Sequence, residues 1–196
     1  MSKKALQLSF KHRTHGGKRR GAGRKRKGDR PLVSHKPRPA FEKPTPAHVT
    51  VRLRDHVWSL RSRRGFSLVA QAFSKAREGL RIVEFSAQGN HLHLVVEADD
   101  SRMLSRGMQS LCIRLARSLN RLMKRSGKVF ADHFHSRLLR TPTELVRAIA
   151  YVLGNHRHHF GTSGGDPYSS AAREHAGLLA EPVTWLMRNH RRCSLK

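Results

Sequence analysis

The sequence predicts an α+β fold of the ferredoxin-like, or split β-α-β, type: one antiparallel sheet with helices on one face and an open polar face that carries the site. Two observations predict it. Apolar and polar residues alternate in four short segments, and apolar residues recur at helical spacing in three longer segments. The resulting order, strand, helix, strand, strand, helix, strand, helix, matches this plan.

The first strand and the first helix come after residue 46. In "AHVTVRLRD", Val49 and Val51 alternate with polar residues, which predicts a strand with one buried face and one wet face. In "GFSLVAQAFSKAREGL", apolar residues from Phe66 to Phe73 lie at helical spacing. This segment is therefore predicted to be a helix.

A hairpin follows the first helix. "RIVEFSAQ" alternates again and is expected to bury Val83 and Phe85 on one face. After the turn "QGN", the segment "HLHLVVEA" places Leu92, Leu94 and Val96 on a common face. Two alternating segments joined by a short turn of Gly and Asn predict an antiparallel pair of strands.

A long helix and a fourth strand come next. The helix, over residues 101 to 126, begins at an Asp/Ser cap, has a leucine-rich stripe from Leu104 to Leu122, and ends at the glycine of "RSGK". The strand "VFADHFHSRLL" is expected to bury Phe130, Phe134 and Leu138.

The last helix carries the most unusual pair of side chains. Residues 141–144 form a capping box with proline at the first helical position, which opens a helix to about residue 158. At about 100° per residue, Tyr151 and Asn155 fall with Arg147 on roughly the opposite side from the apolar Ile149. Both are therefore expected to face away from the core of their own helix. A surface tyrosine beside an incidental asparagine is the alternative.

The polar residues of the strands are expected to share the open face of the sheet. The set is Thr50, Arg52, Arg54, Glu84, Ser86, His91, His93, Glu97, His133, His135 and Arg137. His91 and His93 are two residues apart on one strand, so both imidazoles project from the same face, within reach of one metal ion. Two solvated strand histidines are the plainer interpretation, and "HFH" at 133–135 repeats the pattern elsewhere.

The charge of the chain indicates a polyanionic partner. Lys and Arg number 40 against 13 Asp and Glu, for a formal net charge of +27. Residues 1–45 carry 15 basic and 2 acidic residues, and the remainder carries 25 basic and 11 acidic ones, so the body is basic too. Nucleic acid is the first candidate, because Lys and Arg neutralise phosphates.

Three regions follow from the composition. Residues 1–45 are rich in Lys, Arg, Gly and Pro and predict a disordered basic arm, 46–160 the folded domain, and 161–196 a loop and short helical tail. Within the arm, "RRGAGRKRKGDRP" resembles a minor-groove hook, with a nonspecific arm as the alternative. No apolar run is long enough for a membrane span, and Cys112 and Cys193 form no disulfide framework. We expect a cytoplasmic protein, associated with the bacterial nucleoid when bound to DNA.

Arginines on the long helix and on the predicted open face are candidates for phosphate contacts. The helical ones avoid the apolar stripe, and no acid occurs between Asp100 and Asp132, so a salt-bridged helix surface is disfavoured. The candidate DNA-binding residues are Arg52, Arg54, Arg106, Arg114, Arg117, Arg121, Arg125, Arg137 and Arg147.

Together these segments resemble the single-tyrosine HUH transposases, the insertion sequence 200/605 group and its domesticated relatives, the REP-associated tyrosine transposases. The resemblance lies in the "HLH" strand, the long basic helix, "VFADHFHSRLLRTP" and "AIAYVLGNHRH", and it covers roughly residues 46 to 160. It implies that His91 and His93 bind a divalent ion, with Asn155 as the third ligand, and that Tyr151 is the nucleophile. Relatives often have Pro-Val-Arg after the helix asparagine, where this chain has residues 156–158, His-Arg-His.

The implied chemistry is transesterification of single-stranded DNA with hairpin or palindromic ends. Tyr151 would form a 5′-phosphotyrosyl link and release a 3′-OH, with Mg²⁺ or Mn²⁺ on the phosphate and no nucleotide cofactor. A site with two imidazole ligands favours the softer Mn²⁺ over Mg²⁺. A homodimer is possible by the same resemblance, with the tyrosine and the histidines in cis or in trans. The residues themselves provide no convincing general base for Tyr151.

Three other functions remain open from the sequence. A non-catalytic nucleic-acid-binding protein with the same fold would bind DNA without Tyr151. A metal-dependent nuclease would use water in its place. A structural RNA-binding protein accounts for the charge but leaves His91 and His93 unexplained. Tyr168, the other tyrosine of the chain, lies in a Gly/Ser/Pro-rich loop that would position a nucleophile poorly.

Overall fold

The computed structural model describes residues 38–76, 80–160 and 165–194, so most of the predicted basic arm lies outside the described residues. Within them, four antiparallel strands form one sheet in the order β2-β3-β1-β4. The strands are β1 (Thr45–Arg52), β2 (Arg81–Ala87), β3 (His91–Ala98) and β4 (His135–Leu138). This is the ferredoxin-like strand order, and the predicted fold class is confirmed.

The helices are as follows: α1 (Arg63–Ser74), α2 (Ser101–Leu122), α3 (Pro142–Phe160), a 3₁₀-helix (Arg173–Leu178) and α4 (Trp185–Ser194). The caps follow the predicted chemistry. The Asp100 carboxylate accepts a hydrogen bond from the Met103 amide at 2.6 Å, and the Thr141 hydroxyl accepts one from the Glu144 amide at 3.2 Å. None of the helices in the described part of the chain is long and apolar enough to cross a membrane.

The main core lies between α1, α2 and one face of the sheet. The stripe of α2 from Leu104 to Leu119 is buried there, together with Val49 of β1 and Leu94 of β3. Gly107 lets α2 approach its neighbours, because a Cβ at this position would lie 2.6 Å from the Leu80 Cβ. The thiol of Cys112 packs at the edge of this core, and burial raises its pKa to about 12.

A second core on the opposite face corrects the prediction that helices cover one face only. Val83 and Val95 of the sheet are buried there beneath α3 and Met187 of α4. A β-bulge between Ile82 and Glu84 turns Val83 toward this face while Phe85 stays in the main core, so these two residues do not share a face as expected. The bulge shifts the alternation of β2 by one residue. Val95 is apolar, so a helix can pack on it.

The C-terminal segment covers another part of the face that was expected to be open. Its backbone follows the edge of β2, with the Ala87 amide donating to the Tyr168 carbonyl at 2.8 Å and the Ala180 amide to the Ile82 carbonyl at 2.8 Å. Ser86 and Glu97 are fully buried under it. Glu97 accepts a hydrogen bond from the Val183 amide at 2.7 Å just before α4, so its carboxylate fixes the segment instead of facing solvent.

The open part of this face is therefore the half formed by β1 and β4. Arg137 and His135 of β4 are exposed on it, as predicted, opposite His48 and Thr50 of β1. β4 is shorter than expected: the residues before 135 join the sheet only through an isolated bridge between Leu53 and Phe130.

Candidate active site

The candidate site lies where the open half of the sheet meets the side of α3. Strands β1 and β3 form its floor, and α3, packed over β2 and β3, forms its wall. We define the site by the four aromatic side chains that contact one another there: His48, His91, His93 and Tyr151. Alternation on two neighbouring antiparallel strands places the three imidazoles on one face.

His91 and His93 project side by side, as the sequence predicts. Their ring centroids are 6.1 Å apart with an interplanar angle of 8°. The register pairs His91 with Arg52 and His93 with Thr50 on β1. His93 is 6% exposed, and its Nδ1 lies 3.2 Å from the Thr50 hydroxyl. This contact restrains the orientation of the ring.

Tyr151 lies against these imidazoles although it belongs to a different element. Its ring meets His93 edge-on, with centroids 5.4 Å apart and an interplanar angle of 89°, and meets His48 at 5.7 Å. The side chain is 50% exposed. The phenol is thus held on two sides by protein rings and remains open to a substrate.

Asn155 is one helical turn beyond Tyr151, but it does not face away from the core as expected. It is 3% exposed and adjoins the buried stripe that contains Ala148 and Val152. The reason is the position of the apolar stripe on α3. Because Ala148 is buried, the centre of the stripe shifts toward the flank of the helix that carries Tyr151 and Asn155. Asn155 Nδ2 is buried and has no hydrogen-bond partner among the described residues. A buried amide nitrogen without a hydrogen-bond partner lowers the stability of the fold, which marks Asn155 as a candidate for binding a ligand.

His48 is the residue that sequence reasoning missed. It is half-buried, stacks on His93 with centroids 5.7 Å apart, and its Nε2 is buried without a partner in the described structure. Burial lowers the pKa of its imidazole, and the nearby His135 and Arg137 lower it further. The signal was present, since extending the alternation of Thr50 and Arg52 by one step reaches His48.

The donor set of the site fits a divalent cation in part. Two imidazoles and one amide are groups that bind Mn²⁺ or Mg²⁺ together with substrate oxygens, and a half-turn about χ2 exchanges the unpaired Asn155 Nδ2 with Oδ1. The structure brings His91 and His93 together, and it places Asn155 on the neighbouring flank of α3 by helical spacing. In residues 38–76, 80–160 and 165–194, no group of three His, Cys, Asp or Glu is arranged to hold a metal.

The second histidine pair differs from the first. His135 is the first residue of β4, opposite Thr50, and is exposed. His133 lies before the strand, where its amide donates to the Asp132 carboxylate at 2.8 Å. Because "HFH" is not within one strand, the strand alternation that gives the two imidazoles of "HLH" a common direction does not apply to it.

Tyr168 is placed away from the site. Its ring packs edge-on against Phe66 of α1 at 5.3 Å, and the Arg61 guanidinium lies 4.8 Å from its centroid. Phe66 belongs to the main core, on the opposite face of the sheet from His93. Tyr168 therefore anchors the C-terminal segment.

The candidate DNA-binding arginines divide between two sides of the sheet. Arg52, Arg137 and Arg147 are exposed near the site, where Arg52 pairs with Asp55 at 3.6 Å and Arg137 with Glu144 at 2.9 Å. Arg54, in the loop after β1, is exposed as well.

The remaining arginines of the set belong to α2, which covers the opposite face, or to the turn that follows it. Arg106, Arg114, Arg117 and Arg121 are exposed there, as the stripe predicts. Arg125 is half-buried, and its guanidinium donates to the Ser126 carbonyl at 3.1 Å, so it contacts the turn that follows α2. The candidate arginines therefore lie on two faces of the sheet, because α2 packs on the apolar side of a sheet whose histidines point the other way.

Comparison with known proteins identifies the fold. The chain is similar to the solved structure of a REP-associated tyrosine transposase bound to a REP hairpin, with a TM-score of 0.59 and 16% identity over 78% of this chain and 94% of that one. A putative transposase from Deinococcus radiodurans R1 is also similar, with a TM-score of 0.41 and 11% identity over 58% of this chain and 92% of the other. No family model and no curated protein matches. The fold is that of the tyrosine transposases, as the resemblance of the sequence predicts.

Proposed function

We propose that this chain, with its tyrosine-transposase fold, cleaves and rejoins single-stranded DNA through Tyr151. The observation that carries the proposal is the contact of a half-exposed tyrosine with two histidines of the sheet, at the edge of its open half. A tyrosine held by imidazoles and open to solvent is arranged for attack on a substrate.

The reaction exchanges one phosphodiester for another. The Tyr151 oxygen attacks the scissile phosphorus and loses its proton to solvent, while the bond from phosphorus to the 3′ oxygen breaks and that oxygen takes up a proton. A 5′-phosphotyrosyl link and a free 3′-OH result, and attack by a 3′-OH reverses the step. Because the phosphodiester energy is conserved in the link, no nucleotide cofactor is required.

The side chains around Tyr151 would orient the phosphate. His91, His93 and Asn155 are the residues that would hold a divalent cation, which when bound would neutralise charge on the phosphate oxygens. Arg147, one turn before Tyr151 on the same flank of α3, is exposed and can contact the adjacent phosphate. Thr50, hydrogen-bonded to His93, keeps the imidazole from rotating away.

DNA with a hairpin is the proposed substrate. The solved neighbour with the higher TM-score is bound to a REP hairpin, and this chain carries a formal net charge of +27. Tyr151 and His93 of a single chain contact each other, which supports a site assembled in cis. A second copy would then affect how two DNA ends are held and would supply no residue to the site.

The test is a search for a covalent protein–DNA species. The full chain is incubated with hairpin DNA that has single-stranded flanks, in Mn²⁺ or Mg²⁺, and run on a denaturing gel. We expect a slowly migrating adduct that is absent without metal and absent in Tyr151→Phe. Tyr168→Phe, the matched control, should keep it. Binding without any adduct would instead favour a non-catalytic DNA-binding protein, and cleavage by Tyr151→Phe would favour a nuclease that uses water.

A further inference from the structure

An exposed tryptophan lies in the loop that joins β1 to α1. Trp58 is 51% exposed, while Val57 and Leu60 on either side of it are buried in the main core. Phe66 and Phe73 of the following helix are buried as well. An exposed indole on an otherwise anchored loop is a surface for contact with a flat apolar partner.

This loop is fixed to the turn that leads into His91. The Leu53 amide donates to the Asn90 carbonyl at 2.8 Å, and the Leu60 amide donates to the Gly89 carbonyl at 3.0 Å. Because Gly89 precedes His91 by two residues, the chain geometry limits the Cα of Trp58 to about 20 Å or less from that of His91. Trp58 therefore lies within a few nucleotides of a phosphate bound at the site.

The charge around Trp58 favours a nucleic acid over an apolar protein surface. The loop and the start of α1 present the exposed Arg54, Arg63 and Arg64, and the first turn of α1 contains no acidic residue. The one acid of this stretch, Asp55, pairs with Arg52 at 3.6 Å. An aromatic ring among guanidinium groups that have no ion pair within the described residues is the combination with which proteins hold single strands, since the ring stacks on bases and the cations contact phosphates.

We propose that Trp58 stacks on an unpaired base that flanks the scissile phosphate, with the neighbouring arginines on the backbone of the same strand. The inference rests on the proposed function, because it assumes that the DNA strand cleaved by Tyr151 also reaches Trp58. It adds a single-strand contact that the active-site residues do not supply. Every base offers a face for stacking, so the contact holds the strand without reading its sequence.

The second tryptophan of the chain is a natural control. Trp185, at the start of α4, is 70% exposed, more than Trp58, and its helix also contains arginines. Its neighbour Thr184 is hydrogen-bonded to Glu97, six residues along β3 from His91, so Trp185 differs from Trp58 in its position relative to the site. Exposure alone would predict stacking at Trp185. The hydrogen bonds that hold its loop to the turn before His91 predict it at Trp58.

The experiment uses the two tryptophans as separate fluorescent reporters. Trp185→Phe leaves Trp58 as the reporter, and Trp58→Phe leaves Trp185. Each full-length variant is titrated with a hairpin that has single-stranded flanks and with the same hairpin without flanks. We expect the flanked hairpin to quench the fluorescence of Trp58 and not that of Trp185, and the blunt hairpin to leave Trp58 unquenched.

Affinity measured by anisotropy of labelled DNA completes the test. Trp58→Ala should bind the flanked hairpin about 5- to 150-fold more weakly, while Trp58→Phe retains most of the affinity. Equal binding by wild type and Trp58→Ala, with Trp58 unquenched, would overturn the inference and leave the proposed function standing. Absence of DNA binding by the wild type would overturn the proposed function itself, so the two failures are distinguishable. Melting curves of each variant separate loss of binding from loss of fold.

Discussion

Replacement of Asn155 by leucine should stabilise the metal-free protein. The two side chains have the same number and branching of heavy atoms, so leucine fits the space without a new cavity or clash. Asn155 is 3% exposed, and its Nδ2 is buried with no partner in the described part of the chain. In the absence of metal, Asn155 therefore costs folding energy that leucine would not.

The size of the effect follows from the burial. A buried polar group without a hydrogen bond costs about 1–3 kcal/mol, so we expect the free energy of unfolding to rise by about 2 kcal/mol in Asn155→Leu. For a folded body of this size, the melting temperature should rise by about 4–8 °C. Such a gain from a single buried substitution is uncommon, because most substitutions destabilise.

The assay is thermal and urea unfolding with and without Mn²⁺. Mn²⁺ at one hundred times its dissociation constant should stabilise the wild type by about 2.7 kcal/mol. It should stabilise Asn155→Leu much less, because one of the three proposed ligands has been removed. The order of stability of the two proteins would then reverse on adding metal, while the variant forms no covalent adduct with DNA.

Asn120 provides the matched control. Its Nδ2 donates to the Gly127 carbonyl at 2.9 Å, while its Oδ1 is buried without a partner in the described residues. Asn120→Leu therefore loses a hydrogen bond together with an unsatisfied oxygen, and it should not stabilise the metal-free protein as Asn155→Leu does, nor change the response to Mn²⁺. If Asn155→Leu lowers the stability of the metal-free protein, the amide has a structural partner and our reasoning is wrong. Equal stabilisation of wild type and Asn155→Leu by Mn²⁺ would show that Asn155 is not a ligand.

Three further predictions concern residues near the site and the core. His48→Phe keeps the ring contacts with His93 and Tyr151 but removes the buried, unpaired Nε2, so urea unfolding should show a gain of about 1 kcal/mol; a loss would mean that Nε2 has a structural partner. The pKa of Glu144 is held below its usual value of 4.5, first by the Arg140 amide and then by the Arg137 side chain. The ionised carboxylate therefore contributes to the free energy of unfolding above about pH 4.5, and this contribution is lost as the pH falls below that value. Melting curves from pH 7 to pH 3 should show this loss in the wild type and not in Glu144→Gln; parallel curves would contradict it. Gly107→Ala should lower stability by about 1–3 kcal/mol, because the new Cβ would lie 2.6 Å from that of Leu80, and an unchanged urea midpoint would mean that the helix shifts freely.

The order of elements and the main core could be predicted because they depend on local patterns. The stripe of α2 from Leu104 to Leu119 and the alternation of β3 each have one solution that buries the apolar residues. The contact between Tyr151 and His93 could also be anticipated from the sequence, since Tyr151 departs from the apolar stripe of its own helix.

The errors arose where one local pattern was extended over a whole face. The bulge next to Val83 reverses the alternation by one residue, which no count of apolar residues reveals. Glu97 looks like a solvent-facing strand residue until the segment at Val183 covers it, a contact between positions 86 residues apart. The side of the sheet that α2 covers was predicted correctly, opposite the histidines, but α3 and α4 were not expected on the histidine side.

The most direct test of the central claim is to locate the DNA on the protein. A covalent adduct formed with hairpin DNA and Mn²⁺ is digested with nuclease and protease, and the modified peptide is sequenced by tandem mass spectrometry. We expect a nucleotide 5′-phosphate on the oxygen of Tyr151 and on no other residue. A nucleotide on Tyr168 or on a histidine, or cleaved DNA with no modified peptide, would contradict it.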